Sequence, residues 1–267
     1  MKIRGIKLAR KAFSDRPKKF SITWLLPNFL TICALIFGLQ AFYHALLENW
    51  NLVIIFIIIA AVFDLLDGRV ARLLKSTSNF GMYLDSLSDF VVFGTIPPIT
   101  IYFWMGGTEN QYLWIVAVLF IICSALRLAR FNSELSDKPT YAKNYFSGIP
   151  TPAAAFLALL PITGLEIFDL NEFKTEFYIS IWISLIAIGM VSNLPTFSGK
   201  VMLVPRKFVI PFLIFLGILS HYIISDPTKG FTLLVLIYII TIPISPVFYY
   251  RLRSKFEKKN INKIGRA

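Results

Sequence analysis

Four aspartates stand in strongly apolar sequence between residues 64 and 89, namely Asp64, Asp67, Asp85 and Asp89. A carboxylate inside an apolar membrane segment costs about 2.5 kcal/mol or more unless it is paired or binds a metal. On helices, Asp64 and Asp67 would share one face and Asp85 and Asp89 another, because residues three or four apart are neighbours. Two facing helices of this kind would bring four oxygen donors into a small volume. The pattern indicates a metal and ligand site rather than a packing surface.

Small residues accompany the aspartates, and Gly68, Ala71 and Gly81 would leave gaps through which a ligand could approach the backbone. Four carboxylates suit two divalent cations of the hard, oxygen-seeking kind, Mg²⁺ or Mn²⁺. Two such cations suit a diphosphate, because they neutralise its charge and stabilise a departing phosphate. Arg72 would add a cation for a phosphate oxygen. Asp89 is the best candidate to combine metal binding with deprotonation of an attacking hydroxyl.

Ion pairs offer an alternative explanation for the aspartates, because Arg69, Arg72 and Lys75 lie nearby in the sequence. Such pairs would explain one or two of the carboxylates, whereas four are present. We therefore expect the metal site.

The composition is that of a polytopic membrane protein. Of the 267 residues, 56% are hydrophobic and 25 are Phe, and long apolar runs recur along the chain. A net charge of +12 could indicate a nucleic-acid partner, but the basic residues lie at the termini and in alternate loops, which is typical of membrane topology. We therefore expect no nucleic-acid partner. Cys33 and Cys123 lie within apolar segments and are expected to be core thiols rather than a disulfide.

Membrane helices must position the aspartates. The sequence predicts an all-α bundle of about eight transmembrane helices, at roughly 26–47, 51–73, 82–104, 111–131, 149–168, 176–194, 207–224 and 230–250. Residues 1–22 form a basic juxtamembrane segment, with eight Lys or Arg and one acid among the first 20 residues. This segment is predicted either as an amphipathic helix on the anionic cytoplasmic leaflet or as a disordered tail. Residues 251–267 form a basic cytoplasmic tail.

The placement of charge predicts the topology. Under this assignment, one side of the membrane carries every Lys and Arg except Lys174 and Lys229. The other side carries the acids Glu48, Glu109, Glu166, Asp169, Glu172, Glu176 and Asp226. Because the positive side is the cytoplasmic one, both termini are expected in the cytoplasm, in a multi-pass protein of the cell membrane. The aspartates would then lie in the cytoplasmic half of the membrane, in a cleft that opens inward.

The aspartate stretch resembles the signature of the CDP-alcohol phosphotransferase family, D-x-x-D-G-x-x-A-R-x8-G-x-x-x-D-x-x-x-D. Every fixed position is filled, by Asp64, Asp67, Gly68, Ala71, Arg72, Gly81, Asp85 and Asp89. The resemblance implies transfer of a phosphatidyl group from a CDP-linked lipid to an alcohol, with release of CMP. It implies a two-metal centre at the four aspartates, with Asp89 also acting as the base.

The same resemblance implies a donor site. The nucleotide and diphosphate would be bound by Asp67, Gly68, Ala71, Arg72 and Gly81. The stretch L-P-N-F-L-T also looks like the family's, with Asn28 and Thr31 as cytidine or phosphate contacts. A homodimer is implied as well, with a six-helix catalytic core over residues 23–205 and two peripheral helices over 206–250.

Three further stretches resemble the branch of the family whose acceptor is serine: R-L-A-R-F-N (127–132), Y-F-S-G-I-P-T-P-A-A-A (145–155) and S-N-L-P-T-F-S-G-K (192–200). The resemblance implies that CDP-diacylglycerol and L-serine give phosphatidylserine and CMP. Serine carries a carboxylate that needs a cation. The candidates on the correct side of the membrane are Arg127, Arg130, Lys143 and Lys200.

Two other hypotheses stay open. One is the same chemistry with another acceptor, such as glycerol phosphate, an inositol phosphate or choline. Phosphorylated acceptors would require a stronger basic cluster, and choline would require an aromatic cage. The other is an ion-coupled or proton-coupled transporter, because intramembrane carboxylates also mark ion pathways. The clustering of the carboxylates at one end of their helices argues against a route across the membrane.

Overall fold

The computed structural model describes residues 22–107, 110–133, 145–197 and 225–264, together with 210, 211, 214, 217 and 220–222. The predicted N-terminal amphipathic helix lies outside the described residues, and so do Lys143 and Lys200. Most of the predicted span 207–224 also lies outside them, although every residue described within that span is helical.

Helices account for nearly all of the described chain. They are α1 (Ile22–Leu46), α2 (Trp50–Leu73), α3 (Asn79–Asp89), α4 (Ile96–Trp104), α5 (Gln111–Ser133), α6 (Thr151–Ile167), α7 (Glu176–Val191) and α8 (Pro227–Ile264). A π-helical segment, Phe90–Thr95, joins α3 to α4 in one continuous rod, and a short 3₁₀ turn, Asn171–Phe173, precedes α7.

Five helical segments of the described chain are long and apolar enough to cross a membrane: Leu25–Leu46, Trp50–Leu73, Asn79–Trp104, Gln111–Ser133 and Pro227–Ser254. The helices α6 and α7 are apolar but shorter. Large apolar side chains such as Phe29, Leu65 and Ile188 are exposed on outer faces, where lipid would cover them. The prediction of an all-α polytopic membrane protein is confirmed.

The sequence missed a small β-ribbon. Strands β1 (Tyr145–Ser147) and β2 (Pro195–Phe197) pair antiparallel, with Phe146 opposite Thr196. The Thr196 hydroxyl donates to the carbonyl oxygen of Gly148 at 2.7 Å, which fixes the turn that leads into α6. Helix α7 therefore ends at Val191 rather than at the predicted residue 194, because the chain becomes extended to form β2.

The first three helices place the aspartates at one end of the bundle. Helices α1 and α2 run antiparallel along each other, and their far ends meet in a tight turn at Glu48, whose φ is 57°. Ala41 and Ala45 of α1 are fully buried in the same core as Ile54 and Ile57 of α2. The start of α1 consequently lies beside the end of α2, and α3 begins there after a short loop.

The last helix, α8, packs directly against α6. The Thr232 hydroxyl of α8 donates to the Thr163 hydroxyl of α6 at 2.7 Å. The rings of Phe231 and Phe156 meet edge to face at 5.3 Å. Helix α8 also continues to Ile264, well beyond the predicted end at residue 250, so most of the basic tail is helical.

Candidate active site

A cleft of about 170 Å³ lies where α1 begins, α2 ends and α3 begins. It is lined by Pro27, Asn28, Thr31, Asp67, Gly68, Ala71, Ser76, Thr77, Ser78, Gly81, Met82 and Asp85. All the residues predicted for the donor site except Arg72 are among them. The sequence did not single out the hydroxyl residues 76–78, which form the loop between α2 and α3.

Three carboxylates converge at the cleft. One oxygen each from Asp64, Asp67 and Asp85 lies within 4.8 Å of the other two. Asp67 is buried, and the other two are half-buried. None of the three forms an ion pair with a lysine or arginine of the described chain, so the ion-pair explanation does not hold there. Hard oxygen donors this close together, without a protein cation, fit a divalent metal ion of the Mg²⁺ or Mn²⁺ type.

Asp89 lies one helical turn beyond Asp85 and outside this cluster of three. Its carboxyl group interacts with that of Asp64. Its Oδ1 atom is buried and has no hydrogen-bond partner among the described residues. The structure therefore brings all four predicted aspartates together, with Asp89 on the inner side.

Thr31 supports the cluster from α1. Its hydroxyl donates to the Asp67 Oδ2 atom at 2.5 Å, and its carbonyl oxygen accepts from the Ser88 hydroxyl at 3.4 Å. Thr31, predicted from the sequence as a cytidine or phosphate contact, lines the cleft and is also bound to a carboxylate. Ser88 was missed, because a serine between two aspartates gives no signal of its own.

The two glycines of the cleft serve different purposes. A Cβ atom on Gly81 would lie 2.9 Å from the Asn28 Oδ1 atom and 3.2 Å from the Ser78 hydroxyl oxygen. The Gly81 N–H donates to that same hydroxyl, which caps α3 at 3.0 Å. Gly81 thus lets α3 begin directly against α1. A Cβ atom on Gly68 would meet nothing within 4 Å, so Gly68 leaves open space in the cleft.

Arg72 lies at the edge of the cleft rather than in its lining. Its Nε atom donates to the Gly68 carbonyl oxygen at 2.9 Å, and the side chain is exposed. The bond lies within α2 and holds the guanidinium on the side of the helix that carries Gly68.

Arg127 is one of the two predicted acceptor residues that the structure describes, and it interacts electrostatically with Asp89. It is 7% exposed, and its Nη1 atom donates to the Thr151 hydroxyl at 2.9 Å. Its guanidinium carbon lies 6.0 Å from the centre of the Phe146 ring. Its Nε atom has no partner in the described chain. One N–H group of a buried cation therefore has no partner among the described residues.

The match to a known family decides the class of protein. Residues 24–192 match the family model described as CDP-alcohol phosphatidyltransferase. The chain belongs to this family. The match covers every aspartate of the cluster, the whole cleft and Arg127, and it ends before β2 and α8.

Curated relatives of the chain include several proteins named CDP-diacylglycerol–serine O-phosphatidyltransferase. The protein from Mycobacterium leprae (strain TN) is 31% identical over 222 residues, which is 82% of this chain and 73% of the relative. That from Helicobacter pylori (strain ATCC 700392 / 26695) is 34% identical over 195 residues, or 73% of this chain and 81% of the relative. The protein from Methanocaldococcus jannaschii is 34% identical over 174 residues, which is 65% of this chain and 75% of the relative.

Within this phosphatidyltransferase, Arg130 is bound to the protein itself. Its Nη1 atom donates to the Val191 carbonyl oxygen at 3.0 Å and to the Asn193 Oδ1 atom at 3.2 Å. Its Nη2 atom donates to the carbonyl oxygens of Ser147 at 3.1 Å and Ser192 at 3.2 Å. A guanidinium has only five N–H groups, so these bonds occupy most of its donors. Arg130 ties α5 to the ribbon and to the end of α7.

The π-helical segment directly follows Asp89. The Thr95 hydroxyl donates to the Phe90 carbonyl oxygen at 3.0 Å, across the wide turn. Gly94 packs so closely on Ser124 of α5 that an added Cβ atom would overlap the Ser124 hydroxyl. Such segments recur at functional sites of helical proteins. Here the segment brings the α3–α4 rod against α5, one turn from Arg127.

Proposed function

We propose that this chain transfers the phosphatidyl group of CDP-diacylglycerol to the hydroxyl of L-serine, giving phosphatidylserine and CMP. The observation that supports the reaction is the convergence of three carboxylates at a cleft whose lining includes two glycines, an alanine and four hydroxyl residues. The names of the curated relatives support serine as the acceptor.

The cleft suits the CDP headgroup. Asn28 and the hydroxyl residues of the loop offer hydrogen bonds, and Gly68 leaves room for the diphosphate to approach the backbone. Arg72, at the edge, supplies a cation for a phosphate oxygen. The acyl chains stay in the bilayer while the headgroup enters the cleft.

Asp64, Asp67 and Asp85 would hold a divalent cation, Mg²⁺ or Mn²⁺, and Asp89 with Asp64 would complete a second position. Bound metal would neutralise the diphosphate and polarise the phosphorus under attack. The hydrogen bond from Thr31 holds Asp67 in one orientation, as outer partners of metal ligands do.

Asp89 takes the proton of the serine hydroxyl. The serine oxygen forms a bond to the lipid-side phosphorus, and the bond from that phosphorus to the bridging oxygen of the diphosphate breaks. CMP leaves with the electron pair of the broken bond. The unpartnered Oδ1 atom of Asp89 supports this role, because a base needs a free oxygen directed at its substrate.

Arg127 pairs with the serine carboxylate. It is buried, it lies on the Asp89 side of the site, and its Nε atom has no other partner in the described part of the chain. Arg130 instead positions the ribbon and the end of α7. Lys143 and Lys200 stay candidates from the sequence alone.

The cleft opens to the cytoplasm, and both termini lie on that side of the cell membrane. Support comes from Arg69, Arg72 and Lys75, which lie at the cleft end of α2, and from Glu48, at its opposite end. The positive end of a membrane bundle is the cytoplasmic one. Serine and CMP can then exchange with the cytosol. A homodimer stays a prediction from the family resemblance.

The acceptor is tested by measuring CMP release from CDP-diacylglycerol by the purified protein in mixed micelles with Mg²⁺ or Mn²⁺. Serine, glycerol 3-phosphate, an inositol phosphate and choline are supplied in turn. We expect release with serine. CMP release with another alcohol and none with serine would contradict serine as the acceptor. No CMP release with any alcohol would contradict the proposed reaction.

A further inference from the structure

Helix α8 lies beyond the family match, yet one of its faces is turned toward the catalytic core. Phe231, Tyr238 and Tyr249 lie on that face, because intervals of seven and eleven residues are close to whole numbers of helical turns. Both ends of the face are fixed. The Phe231 ring meets Phe156 of α6 at 5.3 Å, and the Tyr249 ring meets Tyr145 of β1 at 5.1 Å. Tyr238 is held between these two contacts.

Tyr238 packs against the hydrophobic core, but its hydroxyl is buried and has no hydrogen-bond partner among the described residues. The other buried polar atoms without a partner in the described chain include the Nε atom of Arg127 and the Oδ1 atom of Asp89. Arg127 interacts electrostatically with both the Asp89 carboxyl group and the Tyr238 phenol group, so both of these groups lie near Arg127.

These three groups are chemically complementary. The guanidinium N–H donates, the carboxylate oxygen accepts, and the phenol hydroxyl can do either. Buried polar groups of folded proteins nearly always have partners, so three unpaired groups, two of them near the third, indicate that something else pairs them. A free amino acid with a hydroxyl suits all three, because it offers a hydroxyl to Asp89 and a carboxylate to Arg127 and Tyr238.

We propose that Tyr238 is a specificity-determining residue, whose hydroxyl donates a hydrogen bond to the carboxylate of the acceptor amino acid beside Arg127. The inference rests on the proposed function, and it adds the last helix to the acceptor site. Helix α8 then contributes a substrate contact as well as packing.

The test compares the full-length Tyr238→Phe variant with the wild type in the CMP-release assay. The KM for serine rises about tenfold, because one hydrogen bond to a charged group is lost. The KM for CDP-diacylglycerol and the thermal midpoint stay at the wild-type values, because the hydroxyl has no described protein partner. The Tyr250→Phe variant is the matched control, since Tyr250 lies on the same helix and is 58% exposed. It leaves every parameter unchanged.

Two results would overturn the inference. A serine KM within twofold of the wild type would mean that the hydroxyl pairs only with water. Failure of the variant to fold would mean that the hydroxyl holds the protein together. If the wild type uses another acceptor and not serine, the proposed function fails, and the same comparison is made with that acceptor. A tenfold rise in its KM then supports a contact between the Tyr238 hydroxyl and that acceptor, although not one with a carboxylate, and an unchanged KM overturns any contact.

Discussion

The hydroxyl of Thr31 on α1 donates a hydrogen bond of 2.5 Å to the Asp67 carboxylate on α2. The carbonyl oxygen of Thr31 also accepts from the Ser88 hydroxyl on α3 at 3.4 Å. One residue of α1 therefore connects both helices that carry the aspartates. The arrangement fixes the direction of a carboxylate that faces two others within 4.8 Å.

Replacing Thr31 by valine keeps the shape of the side chain and removes the hydroxyl. The Asp67 carboxylate loses its orienting partner, so we expect metal affinity to fall about 10- to 100-fold. The measurement is activity against Mg²⁺ or Mn²⁺ concentration. Thr31→Ser keeps the hydroxyl and should retain the wild-type metal requirement. An unchanged requirement in the valine variant would show that the bond does not orient a metal ligand.

Gly81→Ala and Gly68→Ala place the same methyl group in two different surroundings. At Gly81 the methyl lies 2.9 Å from the Asn28 Oδ1 atom, so we expect a loss of about 1–3 kcal/mol of stability, seen as a lower thermal midpoint. At Gly68 the methyl meets no protein atom within 4 Å, so the thermal midpoint should not change.

The methyl at Gly68 should instead raise the KM for CDP-diacylglycerol, because it occupies space in the cleft. A Gly68→Ala variant with wild-type donor kinetics would argue against this part of the cleft as the diphosphate site.

Arg127 and Arg130 are one turn apart on α5 and should respond differently to replacement by methionine. Arg130→Met leaves several carbonyl oxygens without their donor, so we expect a loss of about 2–4 kcal/mol of stability with an unchanged serine KM in the folded fraction. Arg127→Met should raise the serine KM at least tenfold and lower the thermal midpoint less than Arg130→Met does, because the one described hydrogen bond of Arg127 goes to the Thr151 hydroxyl. If Arg130→Met raised the serine KM and Arg127→Met caused the larger loss of stability, Arg130 would be the serine ligand and Arg127 the structural residue.

Much of the site was predictable because its signal is local. Intervals of three and four residues put Asp64 with Asp67 and Asp85 with Asp89 on helix faces, and apolar runs on either side identify the helices. The small residues near the aspartates then predicted the position of the cleft, because glycines beside carboxylates leave space for a ligand.

The remaining features depend on contacts between distant parts of the chain. The sequence predicted Arg130 as a serine ligand and could not show its bonds to carbonyl oxygens more than 15 residues away, on β1 and at the end of α7. Strands of three residues are too short to show the alternation of apolar and polar residues that marks a strand, so the sequence did not predict the ribbon. The residues of α8 that face the protein could not be told from those that face lipid, because both environments select apolar residues and the helix is apolar on all sides.

Conversion of CDP-diacylglycerol and L-serine to phosphatidylserine and CMP, by wild type and by Asp89→Asn, tests the reaction most directly. We predict equal amounts of both products from the wild type. We predict a rate about 10²- to 10⁴-fold lower for the variant, because asparagine cannot take the serine proton. The absence of phosphatidylserine from the wild-type reaction, or a variant that keeps more than about a tenth of the wild-type rate, would contradict transfer to serine with Asp89 as the base.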